Sequence, residues 1–293
     1  MTKLWKILVF IGFTIVFFSV PWYILRIESD SIKLSNEEYK TQKYESAKSL
    51  NFLRTSYANS LTIFDENFSF MEYLSEVFEI EVRLLVSKNY DEFGEFLKNK
   101  TADIVWGNSE HYLKNRELYK DYVIVLRPVV KGQDKYRGII ITNKNSNVNS
   151  VMELKNKIFA FTDIKSGSGY KLPMELFENK YNIEIYNFFA DVEYLQTHEE
   201  VVKNVFYGKV DGGAVFESAP ESFLEKEQAK NIKILDYTRY IYNEPVLIKK
   251  EIYEKYKHII DSEKFYEFPE NVRKDLKIDG IVRANEKEYL VNN

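Results

Sequence analysis

The chain has 293 residues, 45% hydrophobic and 29% charged, the balance of a folded protein able to bury one large core or two smaller ones. Its net charge of −4 supplies no basic field for nucleic acid. The absence of cysteine excludes disulfides, thiol catalysis, cysteine metal sites and a lipobox, and 3 histidines leave little for a histidine-rich metal site.

Lys3 and Lys6 precede an uncharged apolar run over 7–25, closed by Arg26, and every acidic residue lies beyond it. The run is long enough to cross a hydrocarbon core and longer than an ordinary signal-peptide apolar region. No small-x-small cleavage site follows, and Trp22 and Tyr23 stand where aromatic anchors sit at a membrane interface. An uncleaved anchor over 1–27 is therefore favoured over a cleaved signal. Either way the positive N-terminus stays inside and the remainder is exported. Residues 28–49 are polar and charged and read as a stalk.

Beyond the stalk, short apolar runs alternate with amphipathic stretches, the α/β pattern of βα units around mainly parallel sheets. Strands are expected at 50–57, 80–86, 102–106 and 122–130, with helices at 68–78, 90–98 and 109–118. A second series places strands at 139–142, 158–162, 183–189 and 213–216, with helices at 169–178 and 199–207. A strand at 232–236 leads to an extended 240–248, and the tail from 250 reads as mostly helical.

Five segments carry candidate binding chemistry. Ser166-Gly-Ser-Gly-Tyr170 runs from a strand into a helix that Pro173 marks in its first turn. Ser166 and Ser168 offer hydroxyls, and Gly167 and Gly169 let the backbone approach an oxyanion; the same turn also reads as a plain N-cap at Ser168. His198 opens the next helix, as an oxyanion donor or as a surface residue. Glu217 ends the glycine-rich strand Asp211-Gly-Gly-Ala-Val-Phe-Glu217, where open α/β sheets place ligand groups. Glu244, before Pro245, sits in the extended 240–248 segment; both carboxylates suit an ammonium on a ligand, and Glu217 reads as well as a surface glutamate after a strand and Glu244 as part of a plain turn. Trp106, Tyr112 and Tyr57 are candidates for an aromatic cleft wall or for core.

With these residues in order, the chain resembles the phosphate/phosphite/phosphonate-binding periplasmic proteins of ABC transporters over about 50–290. Ala102-Asp-Ile-Val-Trp-Gly, followed by Tyr112, and Val151-Met-Glu-Leu-Lys-Asn-Lys157 are similar to runs in that family. The resemblance implies a two-lobed periplasmic-binding-protein (type II) fold with a hinged cleft, here preceded by one N-terminal transmembrane helix. Lobe 1 would comprise 50–138 and 243–293, and lobe 2 would comprise 139–242. The family's anion-binding Ser-Thr-Ser-Gly turn corresponds to Ser166, Gly167, Ser168 and Gly169, its histidine to His198, its acidic ligand contacts to Glu217 and Glu244, and its pocket tyrosine to Tyr136. Gly167 replaces the usual threonine, Glu244 stands where an aspartate is often found, and the membrane segment is a further departure.

The implied activity is capture of a small phosphorus oxyanion (phosphonate, phosphite or phosphate) without chemistry or cofactor, for delivery to an ABC transporter permease. A membrane-anchored sensing module acting through a signalling partner uses the same pocket and stands as the alternative. An enzyme would need a metal constellation or an activated nucleophile, and the sequence displays neither. Two carboxylates at the cleft would favour an aminoalkylphosphonate.

Overall fold

The computed structural model describes residues 49–291, so the expected membrane segment at 1–27 and nearly all of the stalk lie outside the described residues. Among the described residues no helix is long and apolar enough to cross a membrane. The chain first builds β1 (Leu50–Arg54), β2 (Val82–Val86), β3 (Ile104–Trp106) and β4 (Tyr122–Val129), then passes through β5 (Lys135–Tyr136). It continues with β6 (Gly138–Asn143), β7 (Ile158–Phe161), β8 (Asp191–Tyr194), β9 (Gly212–Phe216) and β10 (Ile232–Tyr237). It returns through β11 (Ile241–Tyr242) and ends with β12 (Val246–Lys249) and β13 (Gly280–Arg283).

These strands form two separate sheets, ordered β13-β4-β12-β3-β1-β2 and β10-β6-β9-β7-β8. The outgoing β5 and the returning β11 pair antiparallel, Tyr136 opposite Ile241, and this ribbon joins the two lobes. Each sheet is mixed rather than mainly parallel. β1 pairs parallel with β2 and β3, and β7 with β8 and β9, whereas β12 pairs antiparallel with β3 and β4, and β6 with β9 and β10. The returning chain enters the first sheet from the opposite end, which sets β12 antiparallel to its neighbours.

Alternation along the strands supplies a core on each face of each sheet. Phe52, Ile104, Trp106, Val246 and Ile248 pack with Phe70, Leu74 and Phe78 of the helix Ser60–Phe78, while Leu53, Val105 and Leu247 pack with Phe93 and Leu97 on the other face. In the second sheet Ile140, Phe159 and Phe161 meet Phe177 and Phe189, and Ile139, Ile141 and Val215 meet Val201, Val202 and Val205. The helix Ser60–Phe78 starts where the Asn59 side chain accepts the Thr62 amide at 3.0 Å, a helix-start signal that the expected boundary at 68 overlooked.

Three expected elements differ. The helix expected over 109–118 breaks at Asn115 into Ser109–Lys114 and a 3-10 turn Arg116–Tyr119. The strand expected over 183–189 is the short helix Ile185–Phe188, because Ile185, Phe188 and Phe189 bury at helical spacing against one cluster. The tail carries β13, an added strand on the edge of the first sheet beside β4.

Candidate functional site

A cleft of about 170 Å³ opens between the lobes. From the first lobe it is lined by Arg54, Thr55, Tyr57, Tyr90, Trp106, Asn108 and Glu244, from the second by Ser168, His198, Phe216 and Ser218, and from the connecting ribbon by Tyr136.

On the first lobe the strand ends decide the geometry. Leu50, Phe52 and Arg54 share the core-facing phase of β1, so the last of the three carries its side chain inward at the carboxyl end of the strand. Arg54 is opposite Trp106 in the parallel ladder, and its guanidinium lies 4.3 Å from the Trp106 ring centroid and 5.0 Å from that of Tyr57. The arginine is 6% exposed, yet its Nε and Nη1 have no hydrogen-bond partner. The nearest carboxylate is Glu244, with Oε2 3.9 Å from Nη1, an ion pair too long for a hydrogen bond. Burial pushes the Glu244 carboxyl up, against the Arg54 charge that pulls it down. Tyr57 donates its hydroxyl to Glu66, which also pairs with Lys277 at 2.7 Å. Tyr90 accepts from the Asn108 side chain at 3.1 Å, and Asn108 caps the following helix by accepting from the His111 amide.

On the second lobe, the segment expected to start a helix is a π turn, Gly167–Lys171, that leads into the α-helix Leu172–Tyr181. Ser166 is a cap: its Oγ accepts from the Gly169 N–H at 3.1 Å. That bond takes the Gly169 N–H away from any ligand. A Cβ on Gly169 would stand 2.0 Å from Thr162 Oγ1, so this glycine packs the turn against the end of β7. Ser168 is buried and faces the cleft, beside the buried Tyr136 hydroxyl that has no hydrogen-bond partner. Burial raises the Tyr136 phenol far above its usual range, so it stays a donor.

His198 begins the helix His198–Phe206, whose start is capped by Thr197 accepting from the Glu200 amide. Its ring meets Phe216 edge-on at 4.8 Å, and burial lowers its pKa to about 3, so the imidazole is neutral at ordinary pH. Nε2 lies 3.5 Å from Ser166 Oγ, and Nδ1 is buried without a partner. A serine–histidine approach of this kind would matter for acyl transfer only if a third group oriented the ring, and here Nδ1 meets none.

Several residues expected at the site have other tasks. Glu217 is withdrawn from the cleft: it accepts from Arg137 at 2.7 Å, and Arg137 stacks on Tyr237 at 3.8 Å. The two-carboxylate arrangement for an ammonium is therefore absent. Tyr112 belongs to the core, edge-on to Tyr119 at 5.2 Å and Tyr289 at 6.1 Å, away from the cleft. Trp106 is both core and wall, with Phe70 at 5.7 Å and the Arg54 cation on its face. Gly167 faces the opposite lobe: a Cβ there would lie 3.0 Å from Glu110 Cγ. The inward arginine at position 54 escaped the sequence reading, although a charged residue on the core phase of an apolar strand was the available signal. Among the described residues no group of three or more histidines and carboxylates is placed to hold a metal ion.

The lobes touch around this cleft. Asn59 gives its backbone N–H and its side-chain amide to Glu199, at 2.9 and 2.8 Å, and the His198 N–H reaches the Tyr57 carbonyl at 3.2 Å. Lys277 reaches the Ser222 carbonyl at 3.1 Å, and Lys165 pairs with Asp91.

A sequence profile described as an ABC transporter, phosphonate, periplasmic substrate-binding protein matches residues 52–289. The fold is similar to that of a binding-protein component of an ABC phosphonate transporter from Pseudomonas aeruginosa, at 19% identity and TM-score 0.74, over 84% of each chain. It is also similar to PhnD1 from Prochlorococcus marinus in complex with methylphosphonate, at 19% identity and TM-score 0.72, over 83% of this chain and 94% of that one. A Xanthomonas citri protein bound to ATP is similar at 14% identity and TM-score 0.63, over 83% of this chain and 93% of that one. At such identities the structural likeness establishes the two-lobed α/β fold, and the profile, spanning most of the chain, establishes kinship. The chain belongs to the family of periplasmic substrate-binding proteins of phosphonate ABC transporters.

Proposed function

We propose that the cleft captures a small phosphorus oxyanion, of the size of methylphosphonate, phosphite or phosphate, and presents it to an ABC transporter permease without altering it. One observation carries this: buried donors with no partner converge on one small space. Arg54 Nε and Nη1, Trp106 Nε1, the Tyr136 hydroxyl and His198 Nδ1 belong to residues that border the cleft, and all lack hydrogen-bond partners. An unsatisfied buried donor is costly, and a tetrahedral oxyanion supplies several acceptors at once. Ser168 adds a hydroxyl from the second lobe. Neutral His198 donates to the ligand through Nδ1 when Nε2 accepts from Ser166 Oγ, and Arg54 supplies the full positive charge.

The body acts on the outer face of the cytoplasmic membrane, tethered by residues 7–25, which also keeps it close to its permease.

The test is thermal unfolding of the ligand-free full chain with methylphosphonate, phosphite, phosphate and sulfate. A ligand at 100 times its dissociation constant stabilises the native state by about 2.7 kcal/mol, roughly 5–10 °C for a protein of this size. A shift with at least one phosphorus oxyanion and none with sulfate is the expected result. No shift with any of the three would refute the proposal.

A further inference from the structure

Arg54 is a buried cation whose charge the protein balances only partly. Four charged residues line the cleft: Arg54, Glu66, Glu244 and Lys277. Glu66 and Lys277 neutralise each other at 2.7 Å, and Glu66 also accepts the Tyr57 hydroxyl. Glu217, the other carboxylate expected here, is occupied by Arg137. That leaves Arg54 facing Glu244 across 3.9 Å with no hydrogen bond between them, and with Nε and Nη1 free of partners. The Trp106 and Tyr57 rings hold the guanidinium from the side, at 4.3 and 5.0 Å from their centroids.

Resting on the oxyanion function proposed above, we propose that Arg54 is the specificity-determining cation of this cleft, so that the site takes phosphonates with neutral substituents and rejects those bearing an ammonium. An oxyanion fills the unmade bonds of Arg54, and such charge-assisted bonds are the strong ones. An ammonium in the same small space meets a fixed like charge at close range. The one carboxylate of the cleft that no lysine neutralises, Glu244, is already drawn toward Arg54. Removing Glu217 from the cleft and adding Arg54 to it shift the charge balance in the same direction, and it is this combination that selects against the ammonium.

The decisive pair of ligands is n-propylphosphonate and 2-aminoethylphosphonate, which match in length and differ in a terminal methyl against an ammonium. Titration calorimetry of the full chain, with methylphosphonate as a third ligand, reads the dissociation constants. The expected result is that n-propylphosphonate binds at least about tenfold more tightly than 2-aminoethylphosphonate. In Arg54→Met the n-propylphosphonate and methylphosphonate affinities drop at least about tenfold, and the preference over the ammonium ligand collapses toward unity. A general structural defect would weaken all three alike and leave the preference intact, which would overturn the assignment.

Should Arg54→Met fail to fold, Glu244→Gln decides. It is expected to tighten n-propylphosphonate binding, since Arg54 is released to the ligand, and to widen the preference. A tenfold loss of n-propylphosphonate in that variant would show the ion pair acting as one structural unit and overturn the assignment. Equal exclusion of both longer ligands while methylphosphonate binds would trace the discrimination to size, and tighter binding of the ammonium ligand would reverse it; either result overturns the inference alone. Failure of all three ligands would instead bring down the oxyanion function itself, and this inference with it.

Discussion

Acidification should unfold this protein through two histidines that are buried neutral. His198 is 7% exposed and is held near a pKa of about 3 by burial. His111 is 4% exposed and is lowered to about 4, by burial first and then by the charges of Lys171 and Lys165. In the unfolded chain both titrate near about 6.5. A depressed folded pKa means that the unfolded state takes up the proton first. The stability these groups confer is therefore complete above about pH 6.5 and is lost as pH falls toward their folded values. Between pH 7 and pH 5 each histidine should cost about 2 kcal/mol, so the pair removes about 4 kcal/mol. That is a large share of the roughly 5–15 kcal/mol by which domains are stable. Carboxylates held low in the fold, such as Glu199 and Asp236, lose their contribution mainly below about pH 4.5 and add little in this window. Glu244, raised by burial, works in the opposite sense. The decisive number is accordingly a difference between proteins: urea unfolding at pH 7 and pH 5, ligand-free, for the natural chain and for His198→Gln. The variant should show a pH-dependent loss smaller by about 2 kcal/mol. Identical losses in the two proteins would mean that His198 is not buried neutral, and the electrostatic description of the cleft would be wrong.

Two glycines should respond oppositely to alanine. Gly169→Ala places a methyl 2.0 Å from Thr162 Oγ1 and should cost about 3 kcal/mol in chemical unfolding, whereas Gly94→Ala, inside the helix Tyr90–Lys98 with nothing within 4 Å, should gain about 0.5–1 kcal/mol; matching effects would contradict the packing described for the turn. The anchor is checked by fractionation: the full chain should stay in the membrane pellet after alkaline carbonate washing, and its release into the wash would show that residues 7–25 do not span a bilayer.

Local patterns carried much of the fold. β1, β6, β7 and β9 are apolar runs ended by turn or charge signals, and their burial on both faces follows from interior positions in sheets that carry a core on each face. The strand expected at 183–189 failed because a short apolar run does not announce its period; its buried positions are three and four apart, which is a helix, and the Glu184 side chain accepting from the Asn187 amide starts it. β13 escaped because its residues are only partly buried and its place is set by pairing with β4, some 150 positions earlier. The site divides in the same manner. Ser168, Tyr136 and His198 stand on local motifs and reach the cleft. Glu217 was misplaced because its partner Arg137 lies 80 positions away, and a carboxylate is read differently once a cation is beside it. Tyr112 was misplaced because the helix Ser109–Lys114 turns that position toward Tyr119 and Tyr289, a choice made by tertiary packing.

Gly167 shows how one substitution takes its meaning from the opposite lobe. Compared with the threonine usual in the family's turn, glycine looks like a lost donor. In the folded chain its missing side chain is room for another residue: a Cβ at 167 would come within 3.0 Å of Glu110 Cγ and 3.7 Å of Asn108 Nδ2, both from the first lobe. Glu110 is itself buried, 6% exposed, so the space is filled rather than left to water. The neighbouring Asn108 lines the cleft and holds Tyr90 in place. A larger residue at 167 would thus press on the first lobe at the edge of the binding space, while the Asn59–Glu199 bonds tie the lobes together elsewhere. The turn therefore combines one serine that lines the cleft, Ser168, with a smooth surface for the opposite lobe. Arg54, the buried cation of the cleft, stands on the lobe that Gly167 allows to approach.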